Sequence, residues 1–301
     1  MLSAILPVFL IILLGILTRY GGWLSDGFFA GAEKFSFHIA FPALLFSATA
    51  KLDIEGTTAA QLALGTLLPS AAIVLITLLG LLLNTSLPGP ARSSVLQGAL
   101  RPNSYFGIAV GSLLFPAQLT SLLALALALC LPVVNLVAVV ALSWWSGRRP
   151  AIGTVVLAIL RNPIIVATLA GLLWGRLGLP LPTAVAGTLD ILGRAALCLG
   201  LLCVGAGLSF RREQARPMTL LITASLKLLL MPAIAVLVAR LLHLPPEVAT
   251  VACFYGALPT APNAYIMARQ MGGDAPLMAA LITVQTLLAA LTVPLCLSWL
   301  S

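Results

Sequence analysis

The sequence predicts an all-α polytopic membrane protein. It should have ten transmembrane helices in two inverted five-helix repeats, with helices 4 and 9 broken and crossing. Three observations carry this prediction. The chain is 61% hydrophobic and only 8% charged, whereas a soluble domain carries about a quarter charged residues. Its apolar runs recur at about the 20-residue length that crosses a bilayer. A proline-interrupted phrase also occurs twice. Gly98-Ala99-Leu100-Arg101-Pro102-Asn103-Ser104-Tyr105 reads GAL-x-PN-x-Y, and Gly256 to Tyr265 reads GAL-xxx-PN-x-Y. A pair of interrupted apolar segments in corresponding halves is the best sequence pointer to a transporter binding site.

The breaks follow from proline chemistry. Pro259 and Pro262 lie three residues apart in one apolar run. Each lacks a backbone N–H and clashes with the preceding turn. The residues before them, Leu258 and Ala261, are pushed toward extended backbone. In hydrocarbon, such unwound backbone persists only where protein or a water-filled cavity satisfies it.

Taken in order, span 1 is about Leu2–Tyr20, ended by Gly21-Gly22. No basic residue precedes it and no small-residue cleavage site follows, so it is read as a span, not a signal peptide. Span 2, about Phe28–Ala50, carries Glu33, Lys34, His38 and Pro42. Span 3 is about Ala60–Leu83. Span 4, about Val95–Phe115, is broken at Pro102, and span 5 is about Leu119–Leu142. The connector 143–150 contains Trp144-Trp145 and Arg148-Arg149, which suits an interfacial anchor and a cytoplasmic loop. Span 6 is about Val155–Leu177, span 7 about Thr183–Leu208, and span 8 about Met218–Leu242 with Lys227 and Pro232. Span 9 is the run from Val248 to Met271, and span 10 is about Pro276–Leu300.

The repeats are expected at 1–142 and 151–301. Pro7 lies 96 residues before Asn103, and Pro163 lies 100 before Asn263. Five spans per repeat is an odd number, so the second must be inverted relative to the first. Basic residues set the orientation. With both termini outside, the inner loops hold Arg19, Arg92, Arg148, Arg149, Arg211, Arg212, Arg216 and Arg269, against Lys51, Arg176 and Arg240 outside. Both termini are therefore expected to be extracytoplasmic, in the plasma (inner) membrane of a bacterial-type cell. The same rule explains the net charge of +8 without nucleic acid.

The chemistry-bearing residues are few. Asn103 and Asn263 each follow a proline at a break, where an amide can cap a half-helix or meet a substrate. Half-helix N-termini attract carboxylates. Arg101 would lie near mid-membrane, where an unpaired guanidinium costs about 2.5 kcal/mol or more. It is either a bidentate carboxylate clamp or a fixed cation holding unwound carbonyls. The substrate-binding candidates are Arg101, Pro102, Asn103, Tyr105, Pro259, Pro262, Asn263 and Tyr265. His38 and Lys227 are candidates for proton or charge coupling, against plainer readings as a hydrogen-bonded core histidine and a snorkelling lysine. Asp190 and Arg194 are read as an i,i+4 ion pair.

The five cysteines are scattered through apolar runs without metal-ligand spacing. No metal or cofactor is expected. There is no HExxH, the two histidines are far apart and no two aspartates are close, so an intramembrane enzyme is not expected.

Four stretches carry a resemblance: Phe37–Ser47 (FHIAFPALLFS), Arg161–Gly171 (RNPIIVATLAG), Gly256–Gln270 (GALPTAPNAYIMARQ) and Thr283–Pro294 (TVQTLLAALTVP). The chain resembles the auxin efflux carrier family, in its short bacterial form. The resemblance implies a fold similar to bile-acid sodium symporters, with ten spans and two crossing unwound helices. It also implies carriage of organic anions such as auxin or dicarboxylates. The chain departs from the family pattern at Arg101, where a small or polar residue is expected, so a cation site does not carry over directly.

The expected function is a secondary transporter of small organic anions, mono- or dicarboxylates, working by alternating access at the crossover. The alternative is a sodium-coupled symporter of a larger amphipathic anion, for which Ser47, Thr49, Gln97, Gln285 and Thr286 are loose candidates. The expected partners are the anion and the bilayer, with a homodimer left open.

Overall fold

The computed structural model describes residues 2–52, 56–83, 86–146, 161–209 and 216–300. The expected connector residues Arg148 and Arg149, the start of span 6, and Arg211 and Arg212 lie outside the described residues. Those described form an all-helical protein: α1 (Leu2–Tyr20), α2 (Asp26–Phe35), α3 (Phe41–Ala50), α4 (Gly56–Leu83), α5 (Gly89–Leu100), α6 (Ser104–Leu114) and α7 (Ala117–Ser146). Then follow α8 (Pro163–Arg176), α9 (Thr183–Gly207), α10 (Pro217–Ser225), α11 (Met231–Leu241), α12 (Pro246–Ala257), α13 (Asn263–Met271) and α14 (Ala275–Leu297).

Among the described residues, five helical stretches are long and apolar enough to cross a membrane: Thr58–Leu83, Ala117–Ser146, Thr183–Gly207, Pro217–Leu241 and Ala275–Leu300. This is a multi-pass membrane protein. The other expected spans fall on shorter or interrupted helices, among them Ile5–Tyr20, Ser104–Leu114 and Pro163–Arg176.

Two long helices are continuous through proline because they widen. A π-turn, Ser36–Ala40, joins α2 to α3, and another, Leu226–Leu230, joins α10 to α11. Each ends just before a proline, Pro42 or Pro232. Phe41 N–H bonds Ser36 O, and Met231 N–H bonds Leu226 O. This longer bond relieves the clash that a proline ring makes with the carbonyl four residues back. His38 sits in the first π-turn and Lys227 in the second.

Small residues bring helices close where hydrophobicity cannot drive association in lipid. A Cβ on Gly15 of α1 would strike Leu202 O of α9, and one on Gly205 would strike Ile12 O. Gly171 and Gly175 of α8 let that helix lie directly on Phe46, Thr49 and Ala50 of α3. Thr49 donates to Leu45 O at 2.8 Å and lies 3.2 Å from Thr168 O across this contact. Around α12, helices α4, α7, α11 and α14 make a second packed group. Phe254 and Tyr255 are buried there.

Candidate functional site: the crossing of two helix breaks

Helix α5 stops at Leu100 and α6 starts at Ser104; α12 stops at Ala257 and α13 starts at Asn263. Both exits are extended, at Arg101 (φ −76°, ψ 116°) and Leu258 (φ −66°, ψ 134°). The unwound segments run against each other. Pro102 and Thr260 form an antiparallel bridge, and Asn103 N–H donates to Pro259 O at 2.7 Å.

Side chains satisfy the rest of the second break. Thr260 N–H donates to Gln285 Oε1 of α14 at 2.9 Å, and Gln285 Nε2 donates to Gly98 O at 2.9 Å. Thr260 Oγ1 lies 2.7 Å from Gln285 Oε1 and 2.8 Å from Gly98 O, its single proton serving one at a time. Thr260 and Gln285 are fully buried. Buried polar backbone is thus paired, as a low-dielectric interior requires.

A cavity of about 690 Å³ opens beside the crossing. It runs from the exposed Lys34, His38 and Gln270 down to the buried Arg101, Pro102 and Asn103. Tyr105, Pro262 and Asn263 also line it, with Glu33, Asn135, Asn162, Gly200 and Met267. Of the predicted site residues, Arg101, Pro102, Asn103, Tyr105, Pro262, Asn263 and His38 therefore share one cavity. Pro259, Tyr265 and Lys227 are off its wall. Pro259 serves the crossing through its carbonyl, Tyr265 is largely exposed, and Lys227 is fully buried behind the break.

Arg101 is 5% exposed. Its Nη2 donates to Asn135 Oδ1 at 2.9 Å and its Nη1 faces Met267 Sδ at 2.6 Å. Its Nε has no partner. The two ion pairs among the described residues, Arg19–Asp26 and Arg194–Asp190, are both elsewhere and solvent-facing. Arg101 is therefore held by neutral groups, with its charge uncompensated by protein.

The two asparagines differ. Asn103 Oδ1 caps α6 by accepting from Phe106 N–H at 3.1 Å, leaving its Nδ2 buried without a partner. Asn263 is the first residue of α13, whose cap position is Pro262, and its Oδ1 is buried without a partner. Tyr105 packs edge-on to Phe41 at 4.8 Å and lies against Gly200, with its hydroxyl also unpartnered. His38 Nδ1 lies 2.9 Å from Lys34 O. Each unsatisfied buried polar group costs about 1–3 kcal/mol, so their convergence on one cavity points to a ligand-binding wall.

Asn135, Asn162, Gly200 and Met267 were missed by sequence reasoning. Asn162 had a signal: it precedes Pro163, and its Oδ1 caps α8 by accepting from Ile164 N–H at 3.0 Å. Asn135 had a weaker one, as an amide in the apolar middle of α7, far from Gln118 in its first turn.

A multi-pass helical protein with a polar cavity at two crossed helix breaks has the architecture of a membrane transporter. Comparison with known proteins agrees. Residues 148–297 match the family described as "Membrane transport protein". A Rhizobium meliloti (strain 1021) protein described as "Putative malonate transporter" is 28% identical over 308 residues, covering 96% of this chain and 92% of that protein. The second half of the chain thus matches a membrane transport family, and nearly the whole chain is similar to a protein described as a transporter; both point to a membrane transporter and not to an enzyme.

Proposed function

We propose that the protein is a secondary carrier of small organic anions, with a dicarboxylate of malonate size as the favoured substrate, working by alternating access at the crossing. The single observation that carries this reading is Arg101: a buried cation lining the cavity, held among the described residues by Asn135 and Met267, with its Nε buried and unpartnered. A planar guanidinium with free donors matches a carboxylate. Asn103 Nδ2 is a further donor beside it, and the N-termini of α6 and α13 add partial positive charge. The relative's description as a malonate transporter supports the same substrate class.

The architecture assigned to this function is ten spans in two inverted repeats, 1–142 and 151–301. The matched breaks and their antiparallel bridge support it. With both termini outside, the chain segment around Ser146 is cytoplasmic, and a Ser146→Cys variant labelled from the exterior would count against that orientation. A sodium-coupled symporter is the second reading. Gln285 is taken up by Thr260 and Gly98, and Thr49 by Leu45 and Thr168, which counts against it, whereas the buried side chains of Gln97 and Thr286 have no partner among the described residues, which favours it.

The experiment is a thermal-shift series on purified protein against malonate, longer dicarboxylates and aromatic carboxylates, followed by uptake into proteoliposomes. A ligand that binds only the folded state raises the melting temperature. Malonate or a near homologue should do so and be transported. Stabilisation by neutral or cationic solutes alone would defeat the reading.

A further inference from the structure

Lys227 is, with Arg101, one of two buried cations among the described residues, and it lies off the cavity. Its side chain has no solvent exposure. Its Nζ donates to Leu100 O at 3.3 Å, the last carbonyl of α5 before the first break. Its other neighbours include Met231 Sδ at 3.1 Å, the Tyr255 ring, whose centroid is 5.8 Å away, and the Cys130 thiol. Neither ion pair among the described residues includes it.

The position matters because of what a broken helix leaves behind. The last carbonyls of a half-helix lack intrahelical partners, and that end carries partial negative charge. In carriers built on discontinuous helices, unwound carbonyls and half-helix C-terminal ends are where a coupling cation binds. Here an ammonium of the chain itself is at that spot. The same helix also reaches the second break. A Cβ on Gly256, in the last turn of α12, would lie 3.0 Å from Pro232, five residues beyond Lys227. The π-turn Leu226–Leu230 thus places Lys227 at the C-terminal end of α5, and the residues just after it, Met231 and Pro232, meet the C-terminal end of α12.

We propose that Lys227 is a tethered cation that stands in for a coupling ion at the crossing, so that anion transport proceeds without sodium. This rests on the anion-carrier reading above and adds its energetics. The crossing carries two fixed positive charges, Arg101 facing the substrate and Lys227 behind it. A dianion can then be accommodated with no accompanying metal ion.

The test uses the full-length protein in proteoliposomes with malonate as probe, in sodium or in choline at equal ionic strength. Wild-type uptake should be the same in both. Lys227→Ala, which removes the charge and makes room for an ion, should lose at least about tenfold in choline and recover part of that in sodium. Lys227→Met, which fills the space without charge, should lose activity in both. Without malonate, sodium should raise the melting temperature of Lys227→Ala but not of wild type. That arm stands even if malonate proves to be the wrong substrate, so the two readings fail separately. Wild-type uptake that collapses in choline would overturn the proposal, as would a Lys227→Met protein that works as wild type. A Lys227→Ala protein that neither responds to sodium in melting nor is rescued by it would make Lys227 a helix-end tie and nothing more. Should neither variant fold, the choline result on wild type decides.

Discussion

The first break spans Arg101–Asn103 and carries a buried cation; the second spans Leu258–Pro262 and carries no charge. Both begin after a Gly-Ala-Leu turn or within it, and both meet at the Pro102–Thr260 bridge. Yet they are held differently. The second is tied to α14 through Thr260 and Gln285, with its polar backbone answered by protein. The first leaves Arg101 Nε and Asn103 Nδ2 buried without a protein partner, on two residues that line the cavity. Under the proposed function, one copy of the motif serves as a strut and the other as a receptor. The shared phrase specifies unwinding; the residues between its fixed points specify the use.

The largest expected effect on stability lies on the strut. Gln285→Leu leaves Thr260 N–H and Gly98 O without their amide partner. Thr260 Oγ1 still donates to Gly98 O, so Thr260 N–H is the group left unsatisfied and stability should fall by about 1–3 kcal/mol. Detergent-solubilised protein should melt at a clearly lower temperature. An unchanged midpoint would mean that the second break is not held from α14, and the contrast between the breaks would dissolve.

The next effect lies on the receptor and should appear in binding. Arg101→Gln removes the guanidinium from a site where a charge-assisted hydrogen bond contributes about 1.5–3 kcal/mol, so affinity for the anion should fall about tenfold or more. Arg101→Lys keeps the charge and loses the planar fork, so it should lie between Gln and wild type. Isothermal titration on variants that insert normally would measure both. Wild-type affinity in Arg101→Gln would make the first break a strut as well.

How far the sequence foretold this depends on which physical rule each residue obeys. Proline disfavours a helix without forbidding it, since Pro7, Pro69, Pro132 and Pro294 lie inside unbroken helices; the repeated Gly-Ala-Leu and Pro-Asn phrase made both breaks legible at Pro102 and Pro259–Pro262. The second opens at Leu258, the residue before Pro259, as the steric restriction on that residue requires. The exposed Asp190–Arg194 pair, 2.8 Å apart, was legible from i,i+4 spacing alone. The place of Lys227 was not, because a π-turn rotates the helix by an amount that a period of 3.6 cannot anticipate. Asn135 and Met267 were invisible for another reason. They reach Arg101 only through the packing of α7 and α13 against the first break, a long-range relation that leaves no local mark. Pro259 and Tyr265 follow the motif by position, but the crossing turns Pro259 inward to the bridge and leaves Tyr265 at the exposed side of α13.

The smallest expected effect sharpens the comparison most finely, because it sets the same residue type against itself. Asn103 is the cap of α6, accepting from Phe106 N–H at 3.1 Å. Replacing such a cap with alanine costs about 1 kcal/mol. Asn263 occupies the first turn of α13 itself, and its Oδ1 accepts nothing. Asn263→Ala therefore removes no cap, and its stability change should stay within about 0.5 kcal/mol. Binding should behave otherwise. Each amide presents an unsatisfied atom at the cavity wall, and a half-turn of the Asn263 amide brings its nitrogen where its oxygen stands. Both alanine variants should then bind the anion more weakly, while only Asn103→Ala melts earlier. Chemical denaturation and titration of the two variants side by side would show this. Equal losses of stability would mean that both amides cap in the membrane and that the two breaks are closer in kind than their hydrogen bonds indicate.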